Sequence, residues 1–420
     1  MDQYIMALNS GSSSLKFNLF KRAENNTLYS ILSGIVEEVG NPEKSQLKFD
    51  LDGKRHRVSL PVESHRKALI ILFQELEKNC IPMESIVGVG HRVVHGGDKY
   101  TTSVLINEEV IKTIRELIPI APLHNSPNLI GIEEAIKLLP RIPHVAVFDT
   151  AFHGTMPEYA YRYAIPENWY LNYGVRRYGF HGTSHLYVAK RAARYLGISF
   201  TEFNGITVHL GNGCSITKIQ NGKSVDTSMG FTPLEGLVMG TRTGDIDPAL
   251  ISHVAKQIKD DKGLSLAEAY EVVMTALNKE SGLRALSGNG VSMMQEIRQR
   301  AIEGDLIAET ALSIYTYRVA KYIGAYWATL PEVHAIIFTA GVGENEGYVR
   351  AKILSYLTNL DFQINEKNNW SKQEMEIARD KTGLTSVLVI PTDEEIVIGY
   401  DTLFIGALKQ GVPETYPFER

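Results

Sequence analysis

Short apolar runs and longer helical patterns alternate along the chain, and glycine, asparagine or proline separates most of them. Runs rich in β-branched residues predict strands at residues 4–8, 15–20, 29–36, 46–51, 56–60, 86–94 and 144–148. Apolar positions at helical spacing predict helices at residues 64–78, 108–117 and 128–138. Several strands followed by alternating helices and strands indicate an α/β fold, in which the loops at strand ends carry the chemistry.

The second half of the chain repeats this layout. It predicts strands at residues 206–210, 214–220, 335–339 and 386–391, and helices at 248–259, 266–277, 307–330, after residue 343 and at 395–408. Aligning Ile5 with Ile206 places Ser14 opposite Ser215. A repeat at an offset of about 200 residues indicates two related domains, each opening with a hairpin around a tight turn. A chance match of two hairpins is the alternative. We place the domain boundary near Asp149.

Composition narrows the class of protein. The chain has 420 residues, 44% hydrophobic and 22% charged, with a net charge of −5. This balance gives no reason to expect nucleic acid or an acidic membrane as a partner. Two cysteines are too few for a disulfide framework and lack metal-ligand spacing. Because no signal peptide and no membrane span is evident in the sequence, we expect a cytoplasmic protein.

Two glycine-rich turns have the form of phosphate sites. Gly211, Asn212 and Gly213 separate two predicted strands, and residues 341–343 join a strand to a helix. Glycine lets backbone N–H groups approach a large anion because no Cβ stands in the way. Arg242 follows in a threonine-rich loop. An ordinary hairpin and loop remain the alternative for the glycines taken alone.

Charged side chains occur where predicted elements begin or end. Arg92 and Asp149 come at the ends of two strands, His181 precedes a helix between two glycines, and residues 393–395 form an acidic cluster after the last strand. Arginine beside glycines suits a carboxylate or a phosphate, and acidic oxygens suit Mg²⁺. Taken one by one, each has a structural alternative: a surface ion pair, a helix cap, a structural histidine or favourable charges in a first helical turn.

Ten motifs span nearly the whole chain. In order they are N-S-G-S-S-S-L-K at 9–16, G-H-R-V-V-H-G-G at 90–97, A-P-L-H-N at 121–125, V-F-D-T-A-F-H at 147–153, R-R-Y-G-F-H-G-T-S-H at 176–185, H-L-G-N-G-C-S at 209–215, D-T-S-M-G-F-T-P-L-E-G at 226–236, G-T-R-T-G-D at 240–245, T-A-G-V-G-E-N at 339–345 and P-T-D-E-E at 391–395. As a set they resemble the acetokinase family, a branch of the acetate and sugar kinase, Hsp70 and actin superfamily.

The resemblance implies an α/β fold of two RNase H-like, actin-like ATPase domains, with the active site in the cleft between them. The first domain would comprise residues 1–148 and a returning C-terminal helix at 396–420, and the second residues 149–395. The implied reaction is the reversible, Mg²⁺-dependent transfer of the ATP γ-phosphoryl group to acetate, giving acetyl phosphate and ADP. A homodimer is also implied.

Family roles carry over position by position. Catalytic roles fall on Asp149, His181 and Arg242; Arg92 would hold the acceptor carboxylate; and the acyl pocket maps to Val94, Leu123 and Pro233. Nucleotide contacts fall on Lys16, His209, Leu210, Gly211, Asn212, Gly213, Met293, Met294, Gln295, Gly341, Val342, Gly343, Glu344 and Asn345. Mg²⁺, or Mn²⁺ in its place, would be held by Asn9 and Glu394. Acetate is already ionised at neutral pH, so the reaction requires no strong base.

The sequence departs from the family at two places. Met293 and Gln295 stand where the family usually has an acidic residue and an arginine beside the adenosine, and Asp393 stands where asparagine is common. The first departure predicts weak discrimination among nucleotide bases, and pyrophosphate is a more extreme alternative donor.

Other functions remain open at this stage. One is a propionate or short-chain acyl kinase of the same family. An ATP-driven chaperone or filament protein would share the phosphate hairpins but has no use for Arg92 beside Asp149. An acyl-CoA-handling transferase would need room for a pantetheine arm, which no motif indicates.

Overall fold

A computed structural model describes residues 2–51 and 53–419 of the chain. The chain divides into two compact units. Unit 1 comprises Met1–Gly154, Gly182–Tyr187 and Asp393–Arg420, and unit 2 comprises Thr155–His181 and Val188–Thr392.

Unit 1 is built on a mixed sheet. Its strands are β1 Gln3–Ser10, β2 Ser14–Arg22, β3 Leu28–Glu37, β4 Gln46–Leu51, β5 Lys54–Ser59, β6 Ile86–Val93, β7 Val104–Leu105 and β8 His144–Phe148. Its helices are α1 His65–Lys78, α2 Glu108–Glu116 and α3 Pro122–Leu138, with α14 Glu394–Asp401 returning near the C-terminus. In the described residues the strand order is β5-β4-β3-β2-β1-β6-β8-β7, and β1, β6 and β8 run parallel.

Unit 2 contains a second mixed sheet. Its strands are β9 Gly205–Leu210, β10 Cys214–Gln220, β11 Lys223–Thr227, β12 Ala335–Thr339, β13 Gln363–Ile364, β14 Met375–Arg379 and β15 Ser386–Val389. The helices are α4 Glu158–Tyr161, α5 Glu167–Tyr173, α6 Gly182–Leu196 (whose first residues belong to unit 1), α7 Ala249–Lys262, α8 Leu266–Lys279, α9 Gly282–Leu286, α10 Met294–Ile302, α11 Leu306–Trp327, α12 Ala340–Asn345 and α13 Gly347–Ser355. The strand order in the described residues is β11-β10-β9-β12-β15-β14-β13.

The two sheets share one plan. In unit 1 the order is β3-β2-β1-β6-β8: β3, β2 and β1 pair antiparallel, β6 pairs parallel with β1, and β8 pairs parallel with β6. The order β11-β10-β9-β12-β15 in unit 2 has the same directions. The prediction of an α/β fold with two related sheets, each containing an antiparallel hairpin next to a parallel strand, is therefore confirmed.

The hydrophobic core of unit 1 holds helices against both faces of its sheet and so fixes the surroundings of the strand ends. One face of its sheet packs against α1, whose N-terminus is capped by the Ser64 side chain. On the other face, apolar side chains of β1 and β8 pack against α14, including Ile5, Val147 and Ile398. Helix α14 therefore begins beside the carboxyl ends of the parallel strands, where the sequence predicts chemistry.

Several elements differ from the sequence prediction. Helix α3 begins at Pro122 instead of residue 128, because a proline in the first helical turn loses no helical hydrogen bond. Strands β7 and β13 have two residues each, which is too short to produce a period. The last helix continues beyond Asp401 as a π-helical segment, Thr402–Ala407.

Candidate functional site

Arg92 and Asp149 form a two-pronged ion pair at the carboxyl edge of the unit 1 sheet. Arg92 lies near the end of β6, and Asp149 directly follows β8, its parallel neighbour. The Arg92 Nε donates to Oδ1 of Asp149 at 2.9 Å, and Nη2 donates to Oδ2 at 2.6 Å. Asp149 is only 1% exposed. The parallel register thus brings together two residues that the sequence places 57 positions apart.

Glu394 adds a second carboxylate to this pair. It is the first residue of α14, and its Oε2 lies 4.0 Å from Nε of Arg92. Burial raises the pKa of Glu394 to about 7; Asp149 and Glu395 add to this rise, while Arg92 and Lys16 oppose it. Burial alone would lower the pKa of Arg92, but the neighbouring carboxylates outweigh burial and raise it. Carboxyl groups and cations thus lie close together in this cluster.

Asn9 and Lys16 face each other across the first hairpin. They are cross-strand partners in β1 and β2, close to the turn. Lys16 is exposed and Asn9 is half-buried. Because Lys16 counteracts the pKa rise of Glu394, its ammonium group belongs to the same electrostatic cluster.

Asp393 caps the helix that carries Glu394. Its Oδ1 accepts a hydrogen bond from the N–H of Ile396 at 2.9 Å, as an N-cap residue does. Burial raises the pKa of Asp393 to about 6, Glu395 contributes to the rise and the bond from Ile396 opposes it. Asp393 therefore acts as the N-cap of α14, at the position where the sequence analysis expects asparagine in the family.

Two buried asparagines, which the sequence analysis did not single out, fix the loop after β6. Asn128 accepts a hydrogen bond from the N–H of Val94 at 3.1 Å and donates to the carbonyl of Ser10 at 2.7 Å. Asn125 exchanges two hydrogen bonds of 3.0 Å with the backbone of His95. The sequence signal that could have found them is an asparagine side chain at positions of α3 that face the core.

The two residues of unit 1 predicted to line the acyl pocket differ in exposure. Val94 is 7% exposed and Leu123, in the first turn of α3, is 51% exposed. Val94 therefore presents a fixed wall, because its backbone is tied to Asn128. Leu123 can be covered further by a ligand.

In unit 2, His181 and Arg242 lie against the turn between β9 and β10. A Cβ on Gly213 would stand 3.3 Å from Cε1 of His181 and 3.4 Å from Nη1 of Arg242. A side chain at this position would crowd both residues, and glycine avoids this because it has no Cβ. The His181 ring stacks on His209 at 4.1 Å, and its Nδ1 is hydrogen-bonded to Oγ of Ser215 at 2.9 Å. Four predicted site residues, Gly213, His181, Arg242 and His209, are thus close together.

Arg242 is a half-buried cation whose contacts are neutral. It donates to the carbonyl of Pro233 at 3.4 Å and lies 3.8 Å from the thioether of Met239. Burial lowers its pKa, and Cys214 partly offsets this effect. Among the described residues of unit 2, no carboxylate forms an ion pair with it. The geometry leaves its positive charge for an anion.

Arg177 supports the loop that carries Pro233, and the sequence analysis had assigned it no role. Its Nη1 donates to the carbonyls of Thr227, Ser228 and Met229 at 2.9, 3.1 and 3.0 Å. Its Nη2 donates to Glu235 at 2.6 Å. Its position in the motif at 176–185 was the only signal in the sequence.

The glycine turn after β12 is held by its own side chains. Ala340 has a left-handed φ of 65°, and its N–H donates to Oε1 of Glu344 at 2.8 Å. The same oxygen accepts from the N–H of Thr392 at 3.0 Å. Asn345 donates to the carbonyl of Gly341 at 2.8 Å. The side chains of Glu344 and Asn345 therefore shape the turn around Gly341, Val342 and Gly343.

The segment at the start of α10 splits into exposed and buried residues. Met293 caps the helix and is 64% exposed, while Met294 is 2% exposed within the hydrophobic core. Gln295 is exposed. Met293 and Gln295 are thus the members of this segment that can contact a nucleotide base.

Two features are absent from the part of the chain that the structure describes. Residues 2–51 and 53–419 contain no group of three or more His, Cys, Asp or Glu side chains arranged to hold a metal ion. Over the same residues, no helix combines the length and the apolar character that crossing a membrane requires.

Comparison with known proteins agrees with these features. The chain is 48% identical over 403 residues to the acetate kinase of Thermosipho melanesiensis, covering 95% of this chain and 96% of that protein. It is 46% identical over 409 residues to the acetate kinase of Thermotoga maritima, with 95% and 97% covered.

Solved structures give the same picture. The Porphyromonas gingivalis acetate kinase has a TM-score of 0.85 at 40% identity, covering 96% of this chain and 99% of that one. A propionate kinase from Francisella tularensis has a TM-score of 0.86 at 40% identity, covering 95% and 99%. The profile of the acetokinase family matches residues 4–400. The chain therefore belongs to the acetokinase family.

Proposed function

We propose that this chain reversibly transfers the γ-phosphoryl group of ATP to acetate, with Mg²⁺ as cofactor, giving acetyl phosphate and ADP. The observation that supports this most directly is the Arg92–Asp149 pair beside Glu394 in unit 1. Half-buried Arg242 beside Gly213 in unit 2 supports the proposed transfer of the phosphoryl group. Phosphoryl transfer requires mainly positioning and charge neutralisation, which these groups supply.

Arg92 would hold the acceptor. Asp149 engages Nε and Nη2 of Arg92, which leaves further N–H groups on the guanidinium for a carboxylate. An oxygen of acetate then attacks the γ-phosphorus as the bond to the leaving oxygen of ADP breaks. Acetate has no proton to lose, so Asp149 acts by orienting Arg92.

Arg242 and His181 would stabilise the phosphoryl group in transit. Negative charge on its oxygens meets donors that are already fixed by packing, and such preorganised donors lower the barrier. The partly desolvated charge of Arg242 makes this favourable, because an incoming phosphate supplies the negative partner that no described carboxylate of unit 2 provides to it.

Mg²⁺ fits the residues of unit 1. Asn9 and Glu394 offer hard oxygen ligands, and Mg²⁺ often uses one or two protein oxygens together with water and substrate phosphates. Burial and the neighbouring carboxylates Asp149 and Glu395 raise the pKa of Glu394 to about 7, and a dication would relieve this crowding of charge. When bound, the ion neutralises phosphate charge and orients the nucleotide.

ATP would be held mainly through its phosphates. The turn at Gly211, Asn212 and Gly213 and the turn at residues 341–343 present backbone N–H groups, and Lys16 adds a positive charge in unit 1. Met293 and Gln295 would face the base. A purine there meets a thioether and a neutral amide in place of an acid and an arginine.

Trapping the product tests the proposal. Purified protein with acetate, ATP and Mg²⁺ is expected to yield acetyl phosphate, which hydroxylamine converts to a coloured hydroxamate. Omitting acetate, or adding a chelator in excess over Mg²⁺, serves as the control and should abolish the colour. ATP hydrolysis at the same rate without acetate, and without hydroxamate, would instead indicate an ATPase.

Propionate is a second candidate acceptor, favoured by the likeness to the Francisella tularensis propionate kinase. Val94 opposes it, because propionate-preferring relatives commonly have alanine at this position. Comparing kcat/KM for the two acids decides between them.

We further propose a cytoplasmic homodimer. Large apolar side chains of unit 2 stand in solvent, among them Tyr159 at 87% exposure, Leu306 at 79% and Leu171 at 67%. Exposed apolar surface of this kind favours association. Sedimentation velocity over a range of protein concentrations measures the oligomeric state, and a monomer at micromolar protein would contradict the dimer.

A further inference from the structure

A cavity of about 800 Å³ opens in unit 1 at the amino ends of the parallel strands. Its lining comes from the start of β1, the end of β2, the turn before β8 and the chain after the π-helical segment Thr402–Ala407. Asn9 lies six residues further along β1 than the lining residue Gln3, about 20 Å along an extended strand. The cavity is therefore separate from the cluster of Arg92, Asp149 and Glu394.

The charge of the lining has one sign. Arg22, Arg141 and Lys409 contribute three cations, while Gln3 and Gln410 contribute neutral amides. Among the described residues that line the cavity, none is aspartate or glutamate. A concave site with several cations and no carboxylate attracts anions, because the surrounding protein focuses the field.

Arg22 is oriented without being neutralised. Its Nη1 donates to Oε1 of Gln3 at 2.6 Å, and its Nε donates to Oδ1 of Asn26 at 2.8 Å. Both acceptors are neutral amides. The guanidinium is therefore held in place while its charge is left for a ligand.

The remaining walls are apolar. Val87, Ile142, Pro143 and Ile405, all half-buried, supply much of this surface. Gly406 and Pro143 both line the cavity and lie close together, since a Cβ on Gly406 would stand 3.3 Å from the ring of Pro143. The N–H of Gln410 donates to the carbonyl of Phe404 at 2.7 Å, which fixes the turn that carries Lys409.

We propose that this cavity binds a small organic anion with two separated anionic groups and an apolar spine. Carboxylate and phosphate groups pair with the three cations, and the carbon skeleton lies on the apolar wall. A single small anion such as acetate would leave most of the cavity unfilled. The proposal does not depend on the acceptor or the phosphoryl donor of the reaction.

Calorimetric titration tests it with two probes, 3-phosphoglycerate and succinate. Protein is first saturated with MgADP and acetate so that the sites for substrates are filled. We expect one molecule of at least one probe to bind per chain, and the stronger probe shows whether a phosphate or a second carboxylate is preferred. In R141Q/K409Q, affinity should fall by about tenfold or more for each cation removed. Arg22 is left intact because it also ties β1 to β2.

The matched control is K54Q/R55Q, which removes two exposed cations from strand β5 of the same unit. It should bind the probe like the parent. Absence of binding of both probes to the parent, unchanged affinity in R141Q/K409Q, or an equal loss in the control would each overturn the proposal. Thermal unfolding of both variants, expected to match the parent, shows that any loss is not a loss of fold.

Discussion

Arg92 and Arg242, one in each unit, both occur near glycine-rich loops, but their charge environments are opposite. Arg92 is held by Asp149 through bonds of 2.9 and 2.6 Å, and carboxylates raise its pKa. Arg242 contacts a carbonyl and a thioether, and burial lowers its pKa. Arg92 is fixed by a carboxylate of the protein, whereas Arg242 has no such partner in unit 2, and we propose that it binds an anionic group of the substrate.

This difference divides their work in the proposed reaction. The acceptor carboxylate carries its charge before and during transfer, so Arg92 binds ground state and transition state to similar degrees and should govern KM for acetate. Charge on the phosphoryl group is redistributed only during transfer, so Arg242 should govern kcat.

Replacing Arg242 gives the largest expected effect. Arg242→Ala removes the cation that faces the phosphoryl group, and kcat should fall by about a thousandfold or more, as for arginines that stabilise phosphoryl transfer. KM for acetate should change much less. Steady-state kinetics with acetate and ATP varied in turn separates the two constants.

Arg194→Ala is the matched control, since Arg194 is an exposed arginine of unit 2 on α6. Its kcat should equal that of the parent. If folded Arg242→Ala kept the parent kcat, Arg242 would not belong to the phosphoryl site.

Stability provides the next test of the comparison. Arg92→Met leaves Asp149, which is 1% exposed, without its cation, and breaking a buried pair in this way typically costs about 3–5 kcal/mol. Arg242→Met removes a half-buried charge that has no carboxylate partner among the described residues of unit 2, so stability should hold or rise. Urea unfolding monitored by tryptophan fluorescence and circular dichroism measures both.

The double variant Arg92→Met/Asp149→Asn sharpens this result. Removing the second charge should recover part of the stability lost in Arg92→Met. Equal losses for Arg92→Met and Arg242→Met would show that the two arginines are held in the same way.

Much of the arrangement in unit 1 follows from the sequence. Arg92 and Asp149 end two predicted strands, and neighbouring parallel strands bring their ends to one edge of the sheet. The hairpin repeat likewise predicted two related sheets, because glycine turns between β-branched runs are strong local signals. Local rules were sufficient wherever an element carried its own periodicity and its own turn.

The contacts between distant elements did not follow. Nothing in the sequence shows that Glu344 accepts the N–H of Thr392, 48 residues away. Met294 and Gln295 are consecutive residues with opposite exposure, which only the packing of α10 decides. The predicted start of α3 was wrong. Pro122 and Pro127 in its first turns are residues that usually interrupt helices, so the sequence pattern did not extend the helix back to Pro122.

Asp401 of unit 1 is a buried carboxyl group whose hydrogen-bond partners are neutral, as the contacts of Arg242 are. It accepts hydrogen bonds from Ser103 at 2.5 Å and Tyr416 at 2.7 Å. Burial raises its pKa to about 6 from 3.8, and these two bonds oppose the rise. The stability that its neutral form provides is therefore complete below the unfolded pKa and is lost as pH rises through about 6.

Asp401→Asn isolates this effect. The parent and the variant should have similar unfolding free energies near pH 4, whereas at pH 7 the variant should be more stable by up to about 3 kcal/mol. Ser103 and Tyr416 donate to different oxygens of Asp401, so the amide oxygen of asparagine keeps one of these bonds. Its NH2 group takes the place of the other oxygen, as the OH of the protonated carboxyl does, and donates to the remaining hydroxyl. A stability difference that does not change from pH 4 to pH 7 would place the charge of Asp401 in a compensated environment.

A smaller effect is expected at the acyl pocket beside Arg92. Val94 is 7% exposed and fixed through Asn128, so it cannot move aside for a longer acid. Val94→Ala should shift the ratio of kcat/KM values toward propionate by about 1–3 kcal/mol, the usual contribution of one methylene. Val87→Ala, at the amino end of the same strand, is the control. An unchanged ratio in Val94→Ala would remove this residue from the pocket.

The smallest effect concerns the base of the nucleotide, where unit 2 differs from its family. The phosphate turns are intact, so the polyphosphate chain is held whichever base follows it. Exposed Met293 offers a polarisable surface but no carboxylate, and exposed Gln295 lacks the flat cation that stacks on a ring. Initial rates with ATP, GTP and ITP at saturating acetate should therefore differ by less than about tenfold, or about 1.4 kcal/mol.

Met293→Asp/Gln295→Arg restores the residue types usual at these positions and should widen the ratio in favour of ATP. Met294→Leu is the control, since Met294 is buried and should leave the ratio unchanged. Strong ATP selectivity in the parent would contradict the prediction and assign recognition of the base to other residues of unit 2.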